Sequence, residues 1–484
     1  MSVPAIDITS EVILNIGRIA DREGVEAYLV GGYVRDKLLG NPVTDVDIMV
    51  VGDGIAFARK VAEHLGRVQV VAFETFGTAM LPLEEGKIEF VSAREESYDA
   101  GSRKPHTRRA TAESDLSRRD FTINALAVVI NRDRFGKILD PFHGQEDLAK
   151  GIIRTPLEPE RTFDDDPLRM LRAVRFAAQL SDERRGRKFI VEPDTLRAIR
   201  ETSTRLSIVS KERIADEFFK ILATRQPSIG LSLLYETGLA KEFMSELVDM
   251  VGVEQRKDYH HKDVFLHTLK VVDNISTTTD NVWLRFVGLM HDVAKPRTKA
   301  FKEGIGWTFH GHEDLGARMM KPIFRRMRLP MDKLPYVEKL IRLHLRPMVL
   351  VSEEVTDSAI RRTLFEAGED IDDLMLLCRA DITSQNPERV ARYLKNYDIV
   401  LKKMEEVEEK DRLRNWQPPV RGNEIMDVCG IPPSPLVGIL KTKIENAILD
   451  GIIPNEHDAA LEYLLKIKDD ILRENSRNSS PLSV

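Results

Sequence analysis

Cysteine is nearly missing from this 484-residue chain, which holds only Cys378 and Cys429. That excludes both a disulfide framework and a zinc site built on cysteines. No window approaches 18 uncharged apolar residues, so the sequence predicts no membrane-spanning helix. The opening segment MSVPAIDITSEVIL has no basic stretch and carries acids early, against the pattern of a signal peptide. A cytoplasmic location is the resulting expectation. Low-complexity segments and internal repeats are lacking too. So is any overall excess of positive charge, the net charge being −6. Local charge is another matter: between 103 and 119 the chain carries Arg103, Lys104, Arg108, Arg109, Arg118 and Arg119 against only Glu113 and Asp115. The 42% apolar and 31% charged content that is present fits a well-cored globular protein. Its length accommodates about two to four domains.

The stretch YLVGGYVRDKLLGNPVTDVDIMVV, from Tyr28 to Val51, carries the first chemistry. A short apolar run ends in Gly31-Gly32, where backbone can approach a ligand closely. VRDKLL has helix-forming composition and stops at Gly40. A second apolar run follows, with Asp45 and Asp47 at its mouth. Side chains two apart on a strand point the same way, so these carboxylates converge. Adjacent acids are costly unless a cation lies between them, which suggests a Mg²⁺-triphosphate site including Arg35. Glu89, in KIEFVSAR, has Ile88 and Phe90 on its opposite face and would add a third acid; the bland alternative is an exposed strand glutamate.

RRDFTINA, Arg118 to Ala125, puts two cations, an acid and a carboxamide within eight residues. Arginine forks suit phosphate oxygens, and Asp120 and Asn124 are placed to reach ribose hydroxyls. FDDDPLRMLRAVRFAAQL, from Phe163, opens a helix with acids at its start. Asp166 and Arg169, three apart, share a helical face. Cytosine and adenine both offer an amine donor beside a ring-nitrogen acceptor. Asp166 would accept from the amine and Arg169 donate to the ring nitrogen, whereas guanine and uracil would be rejected. The alternative is an ordinary i,i+3 surface ion pair. Arg172 and Arg175 continue that face as a cationic stripe.

LVGGYVRDKLLG…DVDIMVV, RRDFTINALAV, DPFHGQEDLAKGIIRT, DDPLRMLRAVRF and RLSIVSKERIADEFFKIL together resemble the motifs of class II tRNA nucleotidyltransferases. These are the CCA-adding enzymes and bacterial poly(A) polymerases of the polymerase β-like superfamily. The resemblance covers roughly residues 26–222. It implies Asp45 and Asp47 as Mg²⁺ ligands, Gly32 and Arg35 at the triphosphate, and Arg119 and Asp120 beside the nucleotide. Asp166, Arg169, Arg172 and Arg175 become a protein template for CTP and ATP. The chain departs from the family motif at Asp165, where a glutamate is usual. The implied activity is template-independent addition of CCA to the tRNA 3′ end by two-metal nucleotidyl transfer. The alternatives are poly(A) polymerase, or a partial enzyme adding only CC or only A. The charged segment from Ala93 to Leu116 reads as a loop, which the resemblance links to the switch from C to A.

A second constellation starts beyond residue 260. His267, His291-Asp292, His312, His344 and Asp381 lie in or beside helical runs, a ligand set suited to a divalent transition ion or a pair of them. A lone histidine on such a run is more often plain core. This order resembles the HD phosphohydrolase superfamily over roughly 258–390, with Lys295 facing a phosphate. Relatives with this tail hydrolyse phosphomonoesters or 2′,3′-cyclic phosphates. His260, His261 and His310 read as loop histidines.

The expected fold class is α+β: a small polymerase β-like α/β head over 1–155, then an all-helical remainder. That remainder divides into a neck and body over 156–255, an HD domain over 256–390 and a helical C-terminal region over 391–484. Within the last, residues 392–416 read as a charged helix, 421–451 as a helical pair, and 475–484 as a disordered tail. The partners implied are tRNA, CTP and ATP, with no membrane and no obligate protein partner.

Overall fold

Strand β1 (Glu26–Val30) is fully apolar past Glu26 and is an interior strand of a seven-stranded sheet, as such a run should be. The computed structural model describes residues 8–43, 45–66, 69–74, 77–82, 86–98, 105–254, 263–350, 356–384, 386–411 and 418–478. They form two compact units, one ending at Val248 and including Met327–Leu329, the other holding the rest.

In the first unit, helix α1 (Glu11–Glu23) leads into β1, and Gly24 ends it in the left-handed conformation. Helix α2 (Gly32–Leu38), β2 (Val46–Val51) and α3 (Gly54–His64) follow, then β3 (Val71–Phe73), β4 (Thr78–Pro82) and β5 (Lys87–Ser92). β6 (Arg94–Tyr98), β7 (Pro105–Arg109), α4 (Ala112–Ser117), β8 (Ala127–Val129) and β9 (Ile138–Leu139) complete the head. The sheet order is β3-β4-β5-β2-β1-β8-β9, with β2 and β5 parallel. Ile48, Val50, Ile88 and Phe90 join the core beneath α1 and α3, whereas Met49, Ala112, Leu116 and Val129 form a second core on the other face. The strand period therefore puts Asp47 and Glu89 on the α4 side.

The segment expected to be a loop after Ala93 is instead an antiparallel β6–β7 hairpin followed by α4. Its charges form cross-strand partners: Arg108 Nε donates to Glu95 Oε2 at 2.9 Å, and the two residues stand opposite in the register. Charges that suggested a loop are, at Glu95 and Arg108, a cross-strand pair. Residues 103 and 104 of the basic stretch lie outside the described residues.

The chain then becomes helical: α5 (Gly144–Lys150), α6 (Pro159–Asp165), α7 (Leu168–Leu180), α8 (Pro193–Thr202), α9 (Lys211–Leu222), α10 (Pro227–Glu236), α11 (Leu239–Phe243) and α12 (Ser245–Asp249). The expectation of an all-helical remainder after 155 needs correction, here and at the hairpin over 300–308 in the second unit. β10 (Ile152–Ile153) pairs in parallel with β11 (Ile190–Val191), a run too short to show a period.

The second unit comprises α13 (Val264–Ser276), α14 (Val282–Met290), α15 (Lys295–Thr298), the hairpin β12 (Ala300–Lys302) and β13 (Gly306–Thr308), α16 (His312–Met327), α17 (Leu334–Leu343), α18 (Arg346–Leu350), α19 (Asp357–Ala367) and α20 (Ile371–Ala380). α21 (Pro387–Asp411) is the charged helix; residues 412–416 of that expectation lie outside the described residues. α22 (Gly422–Cys429), α23 (Pro435–Leu449) and α24 (His457–Asn478) share a core of Ile425, Leu440, Ile444 and Leu464. The first four residues of the expected tail, 475–478, are helical, and 479–484 lie outside the described residues. No helix among the described residues is long and apolar enough to cross a membrane.

Candidate active sites

In the head, the β2–β5 register sets Asp47 directly beside Glu89. Asp45 precedes the strand and shares Asp47's parity. Burial, then the Glu89 charge, pushes the Asp47 carboxyl upward from its usual range, while Arg119 and Lys87 pull it down. Lys87 is ion-paired to Glu89. A buried carboxylate held upward beside a second acid, even with two cations nearby, is in the condition that a Mg²⁺ ion relieves. The residues fit the ion.

Gly31 has φ +66°, which a side chain would strain, and a Cβ there would come 3.0 Å from Arg119 Nη1. Glycine thus lets Arg119 lie over the turn. Arg118 and Arg119 both pair with Asp115, which is wholly buried on α4. Burial raises that carboxyl, but the two guanidiniums outweigh it and hold it below the usual range.

Arg35 lies beneath the cradle rather than on its surface, being 6% exposed. Its Nη1 donates to Asn124 Oδ1 at 2.7 Å and its Nη2 pairs with Asp36 at 2.6 Å. Asn124 Nδ2 in turn donates to Asp120 Oδ1 at 3.0 Å, and Arg172 donates to Asp120 Oδ2 through Nε and Nη2 at 2.8 and 2.6 Å. Burial disfavours the Asp120 charge, yet Arg172 and Asn124 hold its carboxyl down at about 2. Here Asp120 and Asn124 hold one another and the arginines; ribose contact requires these bonds to open.

On α7, Arg172 and Arg175 project beside Phe176, and with Arg35 they place three guanidiniums 5.2, 4.3 and 5.0 Å from its ring centroid. Glu217 on α9 pairs with Arg175 at 2.6 Å and lies 3.8 Å from Arg172. One expectation is corrected here. Asp166 is not helical but extended (φ −143°, ψ 99°), because Pro167 follows it, so the shared helical face with Arg169 does not apply. Asp166 Oδ1 accepts from the Leu168 N–H at 3.2 Å and Oδ2 pairs with Arg213 at 3.2 Å. Arg169 Nη2 donates to the Arg118 carbonyl at 2.6 Å. Both side chains remain partly exposed, beside the RRDFTIN segment.

In the second unit, the histidines and aspartates gather at helix ends. Two triads bring their ligand atoms within 4.8 Å: His267, His291 and Asp381, and Asp292, His312 and His344. They meet at Asp292, whose Oδ2 is 3.3 Å from His291 Nε2 and whose Oδ1 is 3.3 Å from His312 Nε2. His267 Nε2 is 2.8 Å from Asp381 Oδ1. His291, His312 and His344 direct Nδ1 at the carbonyls of Gly288, Phe309 and Ile341 at 2.7, 2.7 and 2.6 Å. A carbonyl only accepts, so each Nδ1 carries a proton; each Nε2 faces inward and offers a lone pair where the ring is neutral, and a bound cation would displace the second proton that Asp292 and Asp381 favour on His291. His291 Nε2 and Asp292 Oδ1 are buried without a hydrogen-bond partner. Burial opposes charge on His291, but Asp292 and Asp381 push it up to about 10; burial and the His291 charge push His344 down to about 3. Converging lone pairs and carboxylates fit one or two divalent cations. Lys295 Nζ sits 2.6 Å from Asp292 Oδ2.

Comparison with known proteins gives three domain matches: the poly A polymerase head domain over 27–154, the probable RNA and SrmB-binding site of polymerase A over 188–250, and the HD domain over 260–386. The A-adding tRNA nucleotidyltransferase of Deinococcus radiodurans is 32% identical over 450 residues, covering 90% of this chain and 94% of that protein. The chain belongs to the tRNA nucleotidyltransferase family. The multifunctional CCA protein of Pseudomonas syringae pv. syringae is 34% identical over 316 residues, 64% of this chain and 72% of that one. The Bacillus stearothermophilus CCA-adding enzyme in complex with CTP shares the fold, with a TM-score of 0.64 and 24% identity over 97% of this chain and 100% of that chain.

For this tRNA nucleotidyltransferase, four supporting residues escaped the sequence reading. Asp115, Phe176 and Glu217 anchor the arginines, and Thr383 holds His267 Nδ1 at 2.8 Å. Glu217 had a legible signal. It falls in the apolar stripe of Ile214, Phe218 and Ile221, where an acid needs a buried partner.

Proposed function

We propose that this chain adds C, C and A to the 3′ end of tRNA from CTP and ATP. The observation that carries this is the convergence of Asp45, Asp47 and Glu89 beside the Gly31–Gly32 turn, in one unit with the arginines of α7. The three acids would hold Mg²⁺, which when bound activates the attacking 3′-oxygen and stabilises the pyrophosphate leaving group. Gly31, Gly32 and Arg119 would cradle the triphosphate. Arg35, from below, positions Asn124 and α2. Asp166 would accept from the exocyclic amine of cytosine or adenine, and Arg169 donate to the ring nitrogen. Arg172 and Arg175, held by Asp120 and Glu217, would neutralise phosphate charge.

A narrower reading, addition of A alone, is favoured by the relative in Deinococcus radiodurans, an A-adding enzyme aligned over 90% of this chain. Three tRNA transcripts ending at the discriminator base, after C, and after CC separate the two when each is given CTP, ATP and UTP singly and together. Completion of CCA from the discriminator base, then a halt, is expected. Extension of the CC-ended transcript alone would establish the A-adding reading, and a long A tail would overturn both.

For the second unit we propose phosphohydrolase activity with a divalent transition ion, held by His267, His291, Asp292, His312, His344 and Asp381. The two triads and their inward lone pairs support it.

A further inference from the structure

The β12–β13 hairpin is inserted in the chain between Asp292 and His312, two members of one triad of the histidine–aspartate site. β12 starts eight residues after Asp292, and β13 ends four residues before His312. Phe301 and Trp307 stand opposite one another in its register, ring centroids 5.2 Å apart, yet are 54% and 36% exposed. Ile305, at the turn, is 74% exposed. The two rings meet edge to face, at 75°, on the outside of a hairpin too short to build a core of its own. The Lys299 ammonium lies 4.3 Å from the Trp307 ring centroid. Between 295 and 308 the charges are Lys295, Arg297, Lys299 and Lys302 against Glu303 alone, a surplus that favours a phosphate-bearing ligand.

The hairpin also connects physically with the site. Phe309, the next residue, takes the His312 Nδ1 hydrogen bond on its carbonyl, and its ring centroid is 5.7 Å from Lys295 Nζ. Paired aromatics with flanking cations are what a nucleobase stacks on, and stacking tolerates any base.

We propose that the hairpin Ala300–Thr308 is a nucleobase platform for the histidine–aspartate site. It stacks the base of a nucleotide or an RNA 3′ end whose phosphate faces Lys295 and the ligand cluster. This rests on the phosphohydrolase reading of that site, and the experiment separates the two. In the full chain without added metal, AMP is expected to quench Trp307 emission, taken as the difference from Trp307→Phe, and ribose 5-phosphate is not. With metal, Phe301→Ala is expected to raise KM for 2′,3′-cyclic AMP about tenfold at unchanged kcat. Hydrolysis of base-free glycerol phosphate should not move. Trp307→Phe, which keeps a ring, should stay near wild type. A lower KM for an oligonucleotide ending in a 2′,3′-cyclic phosphate than for cyclic AMP identifies an RNA end as the ligand; equal values identify the free nucleotide. Unchanged KM in Phe301→Ala overturns the platform and leaves the phosphohydrolase standing. If wild type hydrolyses none of these esters, the phosphohydrolase reading fails, and the platform stands or falls on the AMP quench.

Discussion

In the proposed template Asp166 would accept and Arg169 would donate, and neither needs the other to hold it. Asp166 is kept by Arg213 and the Leu168 amide, Arg169 by the Arg118 carbonyl. Removing Arg169 should therefore damage choice of base more than chemistry. Arg169→Ala is expected to cut discrimination of CTP and ATP against UTP by about ten- to a hundredfold, the range of one charged hydrogen bond. Competition kinetics with all four triphosphates would measure it, and unchanged discrimination would remove Arg169 from the template. Asp120 gives a pH prediction. Its folded carboxyl sits at about 2, below an unfolded value of about 3.9. Its pairing thus stabilises the fold above the unfolded value, by about 2 kcal/mol at neutral pH, and the gain disappears as pH falls through about 2. The difference in melting temperature between wild type and Asp120→Asn should shrink from pH 5 to pH 2. A gap independent of pH would mean the Arg172 pairing contributes nothing.

Elements explain what residues alone left unassigned. The DPFHG motif carries none of the proposed chemistry, but it braces the turn at Thr122–Asn124 that presents Asp120 and Asn124. Asp140 accepts from the Gly144 and Gln145 amides and so caps α5. Thr122 Oγ1 donates to Asp147 on the same helix at 2.7 Å. The helix packs so closely that a Cβ on Gly144 would meet the Thr122 carbonyl oxygen at 2.1 Å, a backbone atom with nowhere to go. Gly144→Ala should cost about 1–3 kcal/mol and weaken nucleotide binding together. Calorimetry and ATP titration would show it; lowered stability with unchanged ATP affinity would separate the brace from the site. This scale also shows where sequence is opaque. Elements with a local signal, such as the apolar run of β1 and the helical compositions of α2 and α7, were legible from their own residues. The β6–β7 hairpin was not, because its order comes from cross-strand charge pairs such as Glu95 and Arg108, which no local period encodes.

At the scale of the molecule, the two chemistries fall in different units. Asp292 is the residue where both triads meet, so Asp292→Ala should lower bound transition metal, counted per chain by elemental analysis, while CTP and ATP addition stays within about twofold. Full metal content in the variant would refute its role as the meeting point. Candidate ligands at both sites could be named because each comes with neighbours of the right type; of the struts behind the arginines, Asp115 and Phe176 lie close to their partners in sequence but reveal their role only through burial and ring placement, and Glu217 reaches Arg175 from another helix. The β2–β5 register has one more implication, for which length changes this gene can survive. Inside β2 a single-codon insertion or deletion would turn Asp47 and its neighbours through half a period, exchanging Ile48 and Val50 with the acids. The reading frame of the protein fold, like that of its message, is kept there one residue at a time.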